Sequence, residues 1–251
     1  LSLKGINLFG AELEYSNLQE ANLQVANFQE ANLGVAKLQG ANLEGARLQK
    51  AWLQGAELQV SKLQGANLEG ANLVWTNLQN ANLQDANFSR ANLEEANISR
   101  TNLQNANLSR ANLKGANLLG ANLTGANLEG ANLLETYLRK ANFEGANLEG
   151  ALASDGKLVS YGACYIGPLS NLREVNLREA NLKGANLERA DLEGADLYGA
   201  NLQGADLQGA YVEAVNFQGA KLQGAMYNEE TTFDGSNITR EQLDSMTFVE
   251  D

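Results

Sequence analysis

From Leu3 onward an apolar residue recurs every five positions, through Leu8, Leu13, Leu18, Leu23 and Phe28, without a miss to Leu148. These are 30 consecutive centres, all Leu except Phe28, Phe88, Phe143 and Ile98. Two residues before each centre the slot is Ala in 23 of the 30 units and Ser or Thr in five more. Asn stands between slot and centre in 22 of the 30. Two mostly polar positions follow, often Gln or Glu and then Gly, as in Ala121-Asn122-Leu123-Thr124-Gly125.

A period of five does not suit an α-helix. Steps of about 100° per residue would carry successive Leu positions around the whole cylinder and leave no apolar face. Asn and Gly throughout also disfavour helix. Ala and Leu two residues apart instead show the alternation of a strand, which puts both on one side. The Gly after them supplies the positive φ of a tight corner, as in a type II turn. Each unit therefore predicts a very short strand and a bend, and repeated bends wind the chain into a coil with its apolar pair inward. The Ala slot stays small because the interior already holds a Leu from every side. Coils stack through backbone hydrogen bonds at about 4.8 Å. No unit can bury its own Leu, so stability is a sum over neighbours.

This pattern closely resembles the pentapeptide-repeat family, whose motif is Ala, Asn or Asp, Leu, then two variable residues. The resemblance covers residues 1–150 and about 170–227. It implies an all-β fold: a right-handed quadrilateral parallel β-helix with four units per coil. Residues 1–150 would then form about seven and a half coils and 170–227 about three more, a rod of roughly 50 Å at the strand spacing. The long Asn- and Gln-rich array is similar to cyanobacterial members.

Four segments are expected. The first repeat run covers 1–151, and an irregular loop or bulged coil covers 152–169. A second run covers 170–234, and a helical cap and tail cover 235–251. Leu148 and Leu172 lie 24 residues apart, which fits one coil of twenty with four extra residues at a corner. The stretch between holds Leu158 and the chain's only Cys and Pro, Cys164 and Pro168. It reads as a tolerated insertion, with a projecting recognition loop as the functional alternative. Ser236 to Met246 reads as a short helix, opened by a capping box of Thr239 and Gln242. Ile238, Leu243 and Met246 are expected to lie over the last coil. No comparable cap stands at Leu1, where Leu1 and Ile6 occupy slots usually filled by Ala. That end is expected to be covered by a preceding segment or by a second subunit, making a homodimer. The first residue is not Met, so a removed leader is left open.

Composition narrows the function. The chain has no His and one Cys, so no internal disulfide forms, and neither a metal site nor a cofactor is expected. The net charge of −12 is divided unevenly: −3 over residues 1–150 and −9 over 151–251. An acidic surface repels phosphate, so direct nucleic-acid binding is not expected. No apolar run is long enough for a membrane-spanning helix, and no membrane insertion is expected. A lone Cys suits a reducing cytoplasm and leaves a lumen or periplasm open. Gly-rich segments lack the Lys-Ser or Lys-Thr of a phosphate loop, and the carboxylates lie on a convex exterior, so no enzyme activity is expected.

On a solenoid the informative residues are outward positions that depart from the polar norm. At 20 residues per coil, one side is centred on Leu13, Leu33, Leu53, Leu73, Leu93, Leu113 and Leu133. Its outward positions include Tyr15, Val35, Trp52, Val74, Trp75 and Leu134. The other sides carry fewer such residues, among them Phe9, Val25, Val60, Leu119 and Tyr137. Both tryptophans lie on the one side, one coil apart and towards opposite edges. These six positions are the candidate protein-binding residues, and the expected function is an interaction scaffold or adaptor presenting a flat face to an unidentified protein. The alternative comes from the resemblance: some family members imitate duplex DNA and protect gyrase, a type II topoisomerase, from quinolones. Arg90 and Arg110, each preceded by Ser, are equivalent one coil apart and read as a solvated polar face, with anion binding as the alternative.

Overall fold

A computed structural model of the chain describes residues 1–138, 140–148, 151 and 172–250. Nearly every unit contributes one bridging residue and a two-residue turn. The bridges run in parallel between residues 20 apart, from Ser2 with Asn22 to Asn127 with Asn147. Twenty residues in units of five make four sides. Within a unit the corner closes by a bond such as Ala56 N–H to the Leu53 carbonyl, 2.9 Å. Between coils, the Leu53 amide donates to the Asn72 carbonyl at 2.7 Å and the Gly55 amide to the Val74 carbonyl at 2.9 Å. The alternation then does the sorting. Ala51 and Leu53 are buried, and Trp52 between them is exposed. The core is a column of Ala and Leu, with Phe28, Phe88, Phe143 and Phe217 fully buried inside it.

Corners do not depend on glycine. Among the described residues twenty glycines take positive φ, yet so do 21 non-glycine residues, including Trp75 at 57° and Val35 at 53°. The geometry is imposed by stacking, which overrides the preference of individual L residues. The Asn column has its own physical basis. Many of its side chains accept from the amide two residues on, as Asn112 does from Lys114 at 3.2 Å. Many also donate to the Asn one coil before, as Asn112 does to Asn92 at 3.0 Å.

Across the junction of the two runs, Asn142 pairs with Asn176 and Asn147 with Asn181. These partners are 34 residues apart instead of 20, so the turn between them holds fourteen residues beyond a regular coil. The expectation of one coil with four extra residues is therefore corrected. Remainders of four and fourteen are the same modulo five, so the repeat marks the place within a unit but not the side of the square. The expected insertion at 152–169, with Leu158, Cys164 and Pro168, lies outside the described residues.

At the C-terminal end Thr239 caps α1 (Arg240–Asp244) through the expected box with Gln242. The helix is shorter than expected because Asn237 still belongs to a rung, its Nδ2 donating to Asn216 Oδ1 at 2.7 Å. Strand β1 (Met226–Tyr227) pairs in parallel with β2 (Thr247–Phe248) beyond the helix. Gln242 Nε2 donates to the carbonyls of Phe217 (2.8 Å) and Ala220 (3.0 Å), the first of which also accepts from the Ala220 amide, so one helical side chain ties the cap to the last coil. Phe233, Ile238 and Met246 pack on the core, and Leu243 is half-buried. At the other end Leu3, Ile6, Leu8 and Leu13 are only partly buried, and Leu1 is exposed.

Candidate functional site

The unbroken 20-residue spacing up to Leu148 places Tyr15, Val35, Trp52, Val74, Trp75 and Leu134 on one side of the rod. Four of them are exposed: Tyr15, Val35, Trp52 at 57% and Trp75 at 62%. Val74 and Leu134 are half-buried. Trp52 stands before its centre, in the slot usually held by Asn, and Trp75 stands at a corner with positive φ. Although they begin at opposite edges of the unit, both indoles line one notch of about 410 Å³, together with Val35 and Glu14. Tyr15, Val74 and Leu134 do not line it.

Two glycines open this hollow. In the corner ladder Tyr15, Val35, Gly55, Trp75, the missing side chain at Gly55 leaves a gap between Val35 and the indole of Trp75. Gly34 does the same beside Glu14. A notch lined by two large aromatics is out of character for a surface that is otherwise ribbed with Asn, Gln and Glu.

The Asn column holds a further signal. Of the six units centred on residues 38 to 63, only one keeps Asn before its centre, at Asn42. The others carry Lys37, Arg47, Trp52, Glu57 and Lys62. A stretch of little more than one coil therefore gives up the ladder, although Asn is the residue that best satisfies it. Local departure from a stabilising rule is what a functional site looks like in an otherwise regular array.

Arg90 and Arg110, with Ser89 and Ser109, line a second, shallow hollow of about 350 Å³, which also contains Glu69 and Glu129. The two carboxylates offset the two guanidinium charges, and the hollow is a mixed polar surface. Among the described residues no group of three His, Cys, Asp or Glu side chains could hold a metal ion, and no helix is long and apolar enough to cross a membrane.

The sequence model of pentapeptide repeats matches residues 6–45, 41–80, 76–115, 116–152, 170–209 and 195–226, most of the chain. This is a pentapeptide-repeat protein. Its fold is the right-handed quadrilateral β-helix of that family. Among solved pentapeptide-repeat structures it is similar to HetL of the cyanobacterium Nostoc sp. strain PCC 7120, a protein involved in regulation of heterocyst differentiation. Identity with HetL is 31%, covering 94% of this chain and 86% of HetL, with a TM-score of 0.56. Rfr23 of Cyanothece 51142 is 28% identical over 59% of this chain and 91% of its own, with a TM-score of 0.33. QnrB1, a plasmid-mediated fluoroquinolone resistance protein, is 19% identical over 76% of this chain and 88% of its own, with a TM-score of 0.40. No curated protein sequence matches the chain.

Proposed function

We propose that this pentapeptide-repeat protein is a non-enzymatic interaction scaffold, and that it engages another protein through the side carrying Trp52 and Trp75. One observation carries this reading. Two exposed indoles, one of them in a slot made for Asn, converge on a notch in an otherwise polar rod. Exposed aromatics at a concavity are the usual anchors of protein interfaces. The likeness to HetL, which is named for a regulatory role, agrees with a protein that acts by contact. Imitation of DNA is the weaker reading, because the long first run, residues 1–150, balances to only −3.

The test is capture from a lysate of the source cells with three baits: the wild type, Trp52→Gln/Trp75→Gln, and Phe9→Gln/Val60→Gln. All four residues point outward, so circular dichroism should be unchanged. The expected result is a protein retained by the wild type and by the Phe9/Val60 variant and lost from the tryptophan variant. Identical retention by all three baits would overturn the assignment of this side.

A further inference from the structure

Among the described glycines, Gly34 is the one without positive φ. No turn requires it. In the first run the position after the centre carries a side chain in every other unit, most often Gln or Glu. A Cβ built at Gly34 would stand 3.3 Å from Glu14 Cγ and 3.2 Å from Asn32 Oδ1. What Gly34 provides is room: the side chain of Glu14, one coil earlier at the equivalent position, lies over it and borders the notch. Glu14 is the sole charged residue lining that hollow. Among the described residues its carboxylate has neither an ion pair nor a hydrogen bond. The notch thus combines two indole faces, a valine and an unpaired negative charge.

We propose that this notch receives an arginine side chain from an extended segment of the partner protein, with the guanidinium against Trp52 and Trp75 and paired with Glu14. A cation is attracted to the face of an aromatic ring, Trp above all, and the carboxylate supplies the opposite charge. Arginine fits better than lysine, because its planar, weakly hydrated guanidinium stacks on rings and can pair with both oxygens of a carboxylate. About 410 Å³ exceeds one guanidinium and leaves space for the aliphatic stem and the backbone beside it. The inference rests on the reading of this side as the interaction face and adds the chemistry of what it takes.

Trp52 and Trp75 are the protein's two tryptophans, so its indole fluorescence reports on this notch alone. The probes are three blocked Gly/Ser peptides that differ at one central residue: arginine, lysine or the neutral isostere citrulline. The arginine peptide is expected to change the emission saturably, less so as salt is added, and to bind about fivefold tighter than the citrulline peptide. Glu14→Gln should lower arginine-peptide affinity about twofold to threefold and leave citrulline-peptide affinity unchanged. Gly34→Gln, which restores a residue common at this position, should fill the notch and abolish the response without altering circular dichroism. Four results would overturn the inference: no emission change, equal binding of arginine and citrulline peptides, equal binding of lysine, or indifference to Glu14→Gln. None of these touches the reading of this side as the interaction face, which falls instead if lysate capture is indifferent to the tryptophans.

Discussion

Asn outnumbers every other residue before the centres because it answers two local demands at once. Its Oδ1 accepts from the turn amide, and its Nδ2 can donate along the rod. Asp meets the first demand only, as Asp196 does for the Tyr198 amide at 3.1 Å. Asn112 serves both roles, giving to Asn92 and taking from the Asn132 Nδ2 at 2.9 Å. Asn72 accepts from Val74 at 3.2 Å and makes no side-chain bond along the rod. Asn112→Asp should therefore cost about 1–2 kcal/mol at neutral pH, and Asn72→Asp less than about half of that, measured by denaturant unfolding. The Asn112→Asp penalty comes from a carboxylate facing the Asn92 oxygen and the nearby Glu94. That raises the folded-state pKa of the introduced Asp above its unfolded value of about 4. The protonated form can donate, so the penalty should fall as pH drops through that folded-state value.

The short elements at the C-terminal end show how much was legible and why some was not. Thr239 and Gln242 three residues apart announce a helix start, because a capping box is a local device. The second role of Gln242 depends on which carbonyls of the last coil come within its reach, and those belong to residues 25 and 22 positions away. The same distinction holds at the candidate site. The shared side of Trp52 and Trp75 follows from counting by twenty, but their convergence on one notch depends on Gly34, Gly55 and the path of the Glu14 side chain. At the junction of the runs the repeat misleads, because a five-residue period is blind to the side of the square. Gln242→Ala removes both bonds to the coil and the acceptor for the Thr239 amide, 3.0 Å. The expected loss is about 2 kcal/mol, against nearly nothing for exposed Glu241→Ala, and amides of residues 217–225 should exchange faster only in the former.

At the scale of the rod, the first and last coils of residues 1–251 differ in the contacts that opening must break. A middle coil is held on both faces. Releasing it disrupts two interfaces and exposes apolar centres on either side, as around Phe88, whose amide donates to the Asn107 carbonyl. Within a polypeptide of residues 1–251 taken by itself, the first coil bonds to one neighbouring coil, and its Leu3, Leu8 and Leu13 are only partly buried. The last coil also ends the array, yet the Gly224 amide still donates to the Ser245 carbonyl at 2.9 Å, and Phe248 meets Tyr227 edge-on at 5.3 Å between centroids. In a quasi-one-dimensional array, opening should start where one interface suffices. Native-state hydrogen exchange should show this as a gradient along the rod. The Leu8, Leu13 and Leu18 amides, bonded to the carbonyls of Asn27, Asn32 and Lys37, should exchange about a hundredfold or more faster than Phe88, Leu93 and Ile98. Protection at Gly224 and Met226 should stay near that of the middle while the cap is intact. Equal protection at Leu8 and Phe88 would mean that the first coil does not open by itself. Trp52 and Trp75 stand in the third and fourth coils, where the backbone is held on both faces. Glu14 belongs to the first coil, so in this polypeptide opening of that coil alone would draw off the carboxylate while the aromatic surface stays in place.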